Sequence, residues 1–352
     1  MFIAPSNNDA TTSISGILKV IAQKGDQVTF RDIYEQIWLP KKRSTISSWK
    51  QEARRIESIL LPAIGDIPVK DITPQVVIPC LVPYENKLPT LQRLCMRVNE
   101  VMNFALCADL IDRNRCAKMR VIYPHHRSIH VPTLAPSQLP LLFYELSHPQ
   151  PPKRVPPIWF SLLVLYQLYA MARCHEVVNL KWEYFHDDVI IMPPEIMKGR
   201  RPHRIWLCPE MVEVMKIVYV LSESNPSWRR SPYVFNFTTT VTGHTHPQHF
   251  TKWLWQSSLA GMVTPHGLRS TGRTWLRDAG CPHEVGEDFL SHVYGSPTER
   301  AYIRSDYLEQ RKPYYQKWYD YLKQAWFLSN AIDPRALKTT SLAQTVRIPH
   351  GW

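Results

Sequence analysis

Apolar residues recur at helical spacing in two stretches of the first third of the chain. In ISSWKQEARRIESILLPAIGD, Trp49, Ala53, Ile56, Ile59 and Leu60 make one face, with Lys50, Arg54 and Arg55 turned away from it. Gly65 and the Pro68-containing segment end that helix. In TLQRLCMRVNEVMNFALCADL the stripe is Leu91, Leu94, Cys95, Val98, Met102 and Ala105, flanked by Arg93 and Arg97. Residues 29–121 therefore read as a basic, all-helical domain. Residues 1–28 are a polar tail with at most one short helix, and YPHHRSIHVPTLAPSQLP marks a linker over 122–132. Residues 133–328 are helical except for a β-hairpin, in which VIIMPP and HRIWLCP flank EIMKGRRP. Helices resume at Pro209, near His249, over His266 to Ala279 with Gly280 as its cap, and from Thr298 to Leu328. Residues 329–352 form a hydrophilic tail. The fold class is mainly α with a small β element, in two domains.

Composition narrows the function. A hydrophobic fraction of 44% with 12 Trp, 16 Tyr and 11 Phe excludes wholesale disorder. Only 12 Gly stand against 30 Pro, which speaks against Gly-rich phosphate loops. The formal charge of +12 implies a polyanionic partner, either nucleic acid or an anionic membrane surface. The longest apolar run, Ile158 to Ala172, is too short and too polar to span a bilayer, so nucleic acid leads. The seven cysteines are scattered without a CxxC and read as reduced core residues of a cytoplasmic protein; no signal peptide is expected.

Cations gather in the second domain. Arg173 lies in apolar sequence, in what reads as one continuous helix, with Glu176 three residues on as its partner. The pair is either a structural ion pair or an anion clamp. His266 and Arg269 share the first turn of a helix, where an anion is favoured, although such pairs are often mere capping or surface decoration. Lys198 stands in a hairpin tip with Arg200, Arg201, His203 and Arg204, suited to backbone phosphates or to protonating a leaving oxygen. His292 and Tyr302 complete the set; a phenol, with a pKa near ~10, becomes a nucleophile only where cations stabilise its anion. His175 and Glu176 open like a zinc-protease motif, but Asn179 stands where the second His is needed. His244, His246 and His249 lack a Cys or carboxylate companion, so no metal site is expected.

The order of these pieces resembles the tyrosine recombinase (phage integrase) family. ARCHEVVNLKW matches its first arginine box, MKGRRPHRIWL its lysine hairpin, PHGLRSTGRTWLRDAG its His-x-x-Arg box and LSHVYGSPTERAYIRSDYLEQR its His-to-Tyr segment. The last two look most like the branch carried by satellite phages and genomic islands. TFRDIYEQIWLPKKR through LIDRNRCAKMR resembles the family's helical core-binding domain, so the likeness covers about residues 29 to 325.

The resemblance implies a core-binding domain and a mixed α/β catalytic domain forming a C-shaped clamp on double-stranded DNA. By matching position, Arg173 and Arg269 would hold the non-bridging oxygens of the scissile phosphate, with Glu176 orienting Arg173. Lys198 would be general acid to the 5′-oxygen, His266 would serve acid–base transfer and His292 would hydrogen-bond the phosphate. Tyr302 would attack phosphorus, Tyr307 and Tyr294 being wrongly spaced from His292. Lys50, Arg54, Arg93, Arg97, Arg200, Arg201 and Arg204 would contact DNA. The implied assembly is a homotetramer on two DNA sites, with an accessory directionality factor as a further partner and neither metal nor ATP as cofactor. The branch's additional N-terminal arm-site domain has only about 28 residues here. Cys174-His175 and Pro265 are unusual in their boxes, and the C-terminal tail is expected to dock on a neighbouring protomer. Competing readings are a type IB topoisomerase and a DNA-binding regulator without catalysis.

Overall fold

The computed structural model describes residues 24–46, 48–124, 131–148, 158–224, 231–236, 245–292 and 306–330. The chain divides into two units, Met1–Ile129 and His130–Trp352, each with its own apolar core. The expectations for the two terminal tails lie almost wholly outside the described residues, as do those for Tyr294, Tyr302 and His244.

The first unit is helical. Thr29 caps α1 (Phe30–Ile33): its hydroxyl accepts from the Asp32 N–H, and the Asp32 carboxylate accepts from the Thr29 N–H. Wide five-residue turns over Tyr34–Trp38 and Ile56–Leu60 join α1 to α2 (Leu39–Thr45) and α3 (Trp49–Arg55) to α4 (Leu61–Ile64). The cause is the same in both. Pro40 and Pro62 have no N–H to return, and in the residue before each the bond widens, Leu39 N–H reaching the Tyr34 carbonyl and Leu61 N–H that of Ile56. After α5 (Pro74–Leu81), the long α6 (Leu88–Cys107) buries Leu91, Leu94, Cys95, Val98, Val101, Met102 and Ala105. These pack with Phe30, Trp38, Ile56 and Leu60.

In the second unit α7 (Leu139–Ser147) and α8 (Ile158–Ala170) carry the core. Nearly every residue of α8 from Phe160 onward is buried, as befits a central helix enclosed on all sides. Contrary to the sequence expectation, Arg173 is not inside this helix. The helix stops at Ala170, Met171 turns left-handed (φ 48°), and Arg173 becomes the extended N-cap of a new short helix, α9 (Cys174–Val178). The β element has three antiparallel strands rather than two, in the order β1 (Phe185–His186), β2 (Val189–Met192), β3 (His203–Trp206). Ile190 opposite Ile205 sets the β2–β3 register, and both are buried. Buried Tyr169 ties α8 to the end of this sheet, donating to the Trp206 carbonyl (2.8 Å) and accepting from the Cys208 N–H (2.9 Å).

The remaining helices are α10 (Pro209–Glu223), α11 (Gln248–Trp255), α12 (Pro265–Asp278), α13 (His283–Phe289) and α14 (Leu308–Ser329). Gly280 follows α12 with φ 74°, the left-handed cap read from the sequence. The helix expected from Thr298 begins, within the described residues, at Leu308, because Tyr307 turns left-handed (φ 47°) just before it. No described helix is long and apolar enough to cross a membrane.

Candidate active site

Three chain turns, linked through Arg269, build the surroundings of Arg173. The first is its own position at the α9 N-cap, where Glu176 accepts both from its backbone N–H (2.8 Å) and from its guanidinium (2.6 Å). The second is the first turn of α12, capped by Thr264, whose hydroxyl accepts from the Gly267 N–H (3.0 Å). Gly267 is required there: a Cβ would run into the Pro132 carbonyl, which also accepts from Thr264 N–H. Gly272, one turn further on, lies against Met171, whose Cγ would be 2.7 Å from an added Cβ, so α12 approaches the Arg173 turn closely. The third is the end of α13, from Leu290 to His292.

Arg269 locks these together. It is 4% exposed, and it donates to the Met171 carbonyl (2.7 Å) at one turn and to the Leu290 carbonyl at another. Glu176, equally buried, stands between the two arginines, 2.6 Å from Arg173 and 3.9 Å from Arg269. Two guanidinium charges therefore share one carboxylate charge, and one positive charge is left over in a largely desolvated place. Burial, then repulsion from Arg173, brings the Arg269 guanidinium down to about 10, still a cation at neutral pH.

His266 and Arg269 share a face of α12 but not an environment, the imidazole being exposed and the guanidinium enclosed. Partial burial lowers His266, and the charges of Arg269, Arg173, Lys198 and His292 lower it further. All four are near enough for their fields to reach this ring. Lys198 is exposed in the β2–β3 connection, and its neighbour Gly199 abuts the Ser291 carbonyl, 3.9 Å from where a Cβ would stand. The structure thus gathers Arg173, Glu176, Lys198, His266, Arg269 and His292. Tyr302 lies outside the described residues.

Two further groups, His203 and Glu287, were given no role in the reaction from the sequence. His203, at the start of β3, is held well below the usual histidine range by burial and then by Arg311 and Arg269. With Glu176, Arg269 and Ser291 it lines a cavity of about 10 Å³, room for roughly one water centre. Glu287 accepts from Arg273 (2.9 Å) and faces His292 (2.8 Å). The sequence signal for His203 is its place in the basic hairpin tip, and for Glu287 only a polar residue beside a matched box.

The expected DNA contacts divide. Lys50, Arg54, Arg93, Arg200 and Arg201 are exposed. Arg97 is instead tied to Glu52 (2.9 Å) and Glu100 (2.5 Å) at 12% side-chain exposure, and Arg204 pairs with Asp306 through both Nε and Nη2. Both guanidiniums serve the protein's own carboxylates here. Exposed Lys41 and Arg43, lying over the rings of Phe104 and Trp49, extend the basic surface of the first unit and were not picked out. Among the described residues no group of three or more His, Cys, Asp or Glu could hold a metal ion.

Comparison with known proteins places these features. A model of the phage integrase central domain matches residues 30–121, and one of the phage integrase family matches residues 134–309. Prophage integrase IntA of Escherichia coli (strain K12) is 30% identical over 311 residues, covering 86% of this chain and 72% of that protein. The integrase of Enterobacteria phage P4 is 23% identical, over 86% and 71%. Among solved structures, a lambda integrase tetramer bound to a Holliday junction aligns with a TM-score of 0.59 at 16% identity, covering 84% of each chain. The Tn1549 transposon integrase in complex with circular intermediate DNA gives 0.56 at 14%, over 79% of this chain and 99% of that one.

Proposed function

Because this chain belongs to the phage integrase family, and is a site-specific tyrosine recombinase, we propose that it breaks and rejoins duplex DNA through a covalent link to Tyr302. The observation that carries the reading is the pair Arg173 and Arg269 converging on the single buried carboxylate of Glu176. The uncompensated charge suits a phosphodiester, and suits still better the phosphorane formed when a nucleophile adds to it, because that species carries more negative charge. Match to the central domain as well as to the catalytic one does not favour the topoisomerase or the inactive regulator.

In this scheme Arg173 and Arg269 hold the two non-bridging oxygens. The Tyr302 hydroxyl gives its proton toward His266, which is free to accept because burial, and then its cationic neighbours, favour its neutral form. The phenolate oxygen bonds to phosphorus, and the bond to the 5′-oxygen breaks. Lys198 supplies the proton that makes a 5′-hydroxyl, and the 3′-phosphate stays on Tyr302. Return of a 5′-hydroxyl from a second strand reverses every transfer, so no external energy source is consumed. Lys50, Arg54, Arg93, Arg200 and Arg201 contact the DNA backbone, and four copies assemble on two sites, as the lambda integrase tetramer does on its junction. An accessory factor sets the direction of the exchange. The chain's own match to integrases of prophages and phages supports the assignment of the reaction.

The test is to map covalently attached protein on DNA of the replicon that carries the gene. The expected product is a 3′-linked adduct at one pair of positions, absent with Tyr302→Phe. An adduct that persists in Tyr302→Phe overturns the choice of nucleophile, and wild type that forms none overturns the reaction.

A further inference from the structure

We infer that Glu287 is a positioning residue for His292, fixing which ring nitrogen is presented to the scissile phosphate. The inference rests on the reading of His292 as a phosphate ligand. Glu287 grips His292 twice. Its backbone carbonyl accepts from the His292 N–H (3.0 Å), and its side-chain Oε2 lies 2.8 Å from the ring Nδ1. Five residues separate the two, and they meet because Ser291 turns left-handed (φ 49°) after α13 and folds the chain back on the helix end.

The carboxylate is itself held in place. Its second oxygen, Oε1, accepts from Arg273 Nε (2.9 Å), one helix away on α12. Gly286 makes room for that contact, since a Cβ there would stand 3.0 Å from the Arg273 guanidinium. Burial pushes Glu287 up, but the hydrogen bonds from His292 and Arg273 hold it below the usual carboxylate range, so it is ionised at neutral pH. An ionised carboxylate can only accept, so the Nδ1 atom must carry the proton. The working nitrogen is then Nε2. Beside a phosphate, Nδ1 stays turned to Glu287 and Nε2 faces the substrate. Arg273, Glu287 and His292 form a chain that fixes ring orientation and tautomer together. The other titratable or charged groups around it are His283, 3.9 Å from the same carboxylate, with His266 and Arg269 on α12 and Lys198 on the hairpin that abuts Ser291.

The test uses the full chain labelled with ¹⁵N-histidine. At a pH where its ring is neutral, His292, identified by loss of its signals in His292→Gln, is expected to show a proton on Nδ1. In Glu287→Ala that proton moves to Nε2, whereas Glu287→Gln, which keeps an acceptor oxygen, retains the wild-type pattern. In adduct formation on the mapped site, Glu287→Ala should slow the chemical step by about 10- to 100-fold without changing DNA affinity. In a His292→Gln background the same change should cost nothing further. An Nε2 proton in wild type, or an equal loss from Glu287→Ala in both backgrounds, overturns the inference. Failure of the recombinase reading registers separately, as wild type that forms no adduct, while the ring signature reports on Glu287 with or without DNA.

Discussion

At the residue scale the site is a problem in sharing charge. Burial, and then the charges of Arg269, Arg173 and Lys198, favour the neutral imidazole of His266. A histidine lowered in this way stays unprotonated, and so able to accept the Tyr302 proton, to a lower pH than a free one. Adduct formation should therefore persist below the ordinary histidine value of about 6.5 and fall only as pH drops through the depressed one. Replacing Lys198 with Met would abolish the proton donor, so the cleaner probe is Glu176→Gln. Removing that negative charge leaves both arginines less compensated, lowers His266 further and moves the acid limb to still lower pH, while the rate at the plateau falls. A pH–rate profile for single-turnover adduct formation measures both; an acid limb that moves upward in Glu176→Gln contradicts the assignment. The pairing of Arg173 with Glu176 and the shared turn of His266 and Arg269 were legible in the sequence, because each pair is three residues apart; the roles proposed for them come from the family resemblance and not from that spacing. The Met171 and Leu290 carbonyls that grip Arg269 were not legible there, since only tertiary folding brings them to it.

Among the elements, α14 is anchored at its start by a fully buried cation. Arg311 is 0% exposed; its Nε lies 3.0 Å from Asp288 on α13 without the alignment of a hydrogen bond, and its Nη2 lies 3.9 Å from Asp306. The rings of Phe289 and Tyr315 lie beside the guanidinium. Asp306 in turn holds Arg204 on β3, so four charged side chains link α13, the start of α14 and the strand that follows the lysine hairpin. Burial is what lifts Asp288, to about 6; Asp306 lifts it too, while Arg311 and Arg204 oppose the rise. Removing Arg311 strands this carboxylate, a change that commonly costs about 3–5 kcal/mol. The cost has a ceiling, because Asp288 can escape by taking up a proton. The sign follows: without Arg311 the folded pKa of Asp288 rises further above its unfolded value, so the folded variant binds more protons than the unfolded chain and loses stability as pH rises. Arg311→Met should thus be destabilised more at pH 8 than at pH 5 relative to wild type, measured by denaturant unfolding. Equal destabilisation at both would show that Asp288 is not the stranded group. The same element shows where the sequence misleads. Its helical pattern reads smoothly back to Thr298, and nothing in it announces the left-handed break at Tyr307.

For the whole molecule, a formal charge of +12 makes affinity for DNA depend on how many cations remain available to phosphates. Helical periodicity placed Arg93 and Arg97 together on the flank of α6, and it could not separate them. Packing does. Arg97 reaches across to Glu52 on α3 and back to Glu100, a network that also takes in Lys42 and the Trp38 indole, whereas Arg93 is exposed. Glu100 lies three residues from Arg97 and could have been guessed; Glu52 lies far off in sequence and could not. The two arginines should therefore respond differently to the same change. Arg93→Ala should weaken DNA binding across all sequences and reduce the slope of log K against log salt by about 1, with thermal stability unchanged. Arg97→Ala should leave that slope intact and lower the stability of the first unit instead, because Glu52 and Glu100 lose a partner at a half-buried site. Binding isotherms at three or more salt concentrations, paired with thermal melts, separate the outcomes. A slope reduced by Arg97→Ala at undiminished stability would mean that this guanidinium leaves its carboxylates for phosphate when DNA arrives, and that the ion-pair network of the first unit is rebuilt on binding.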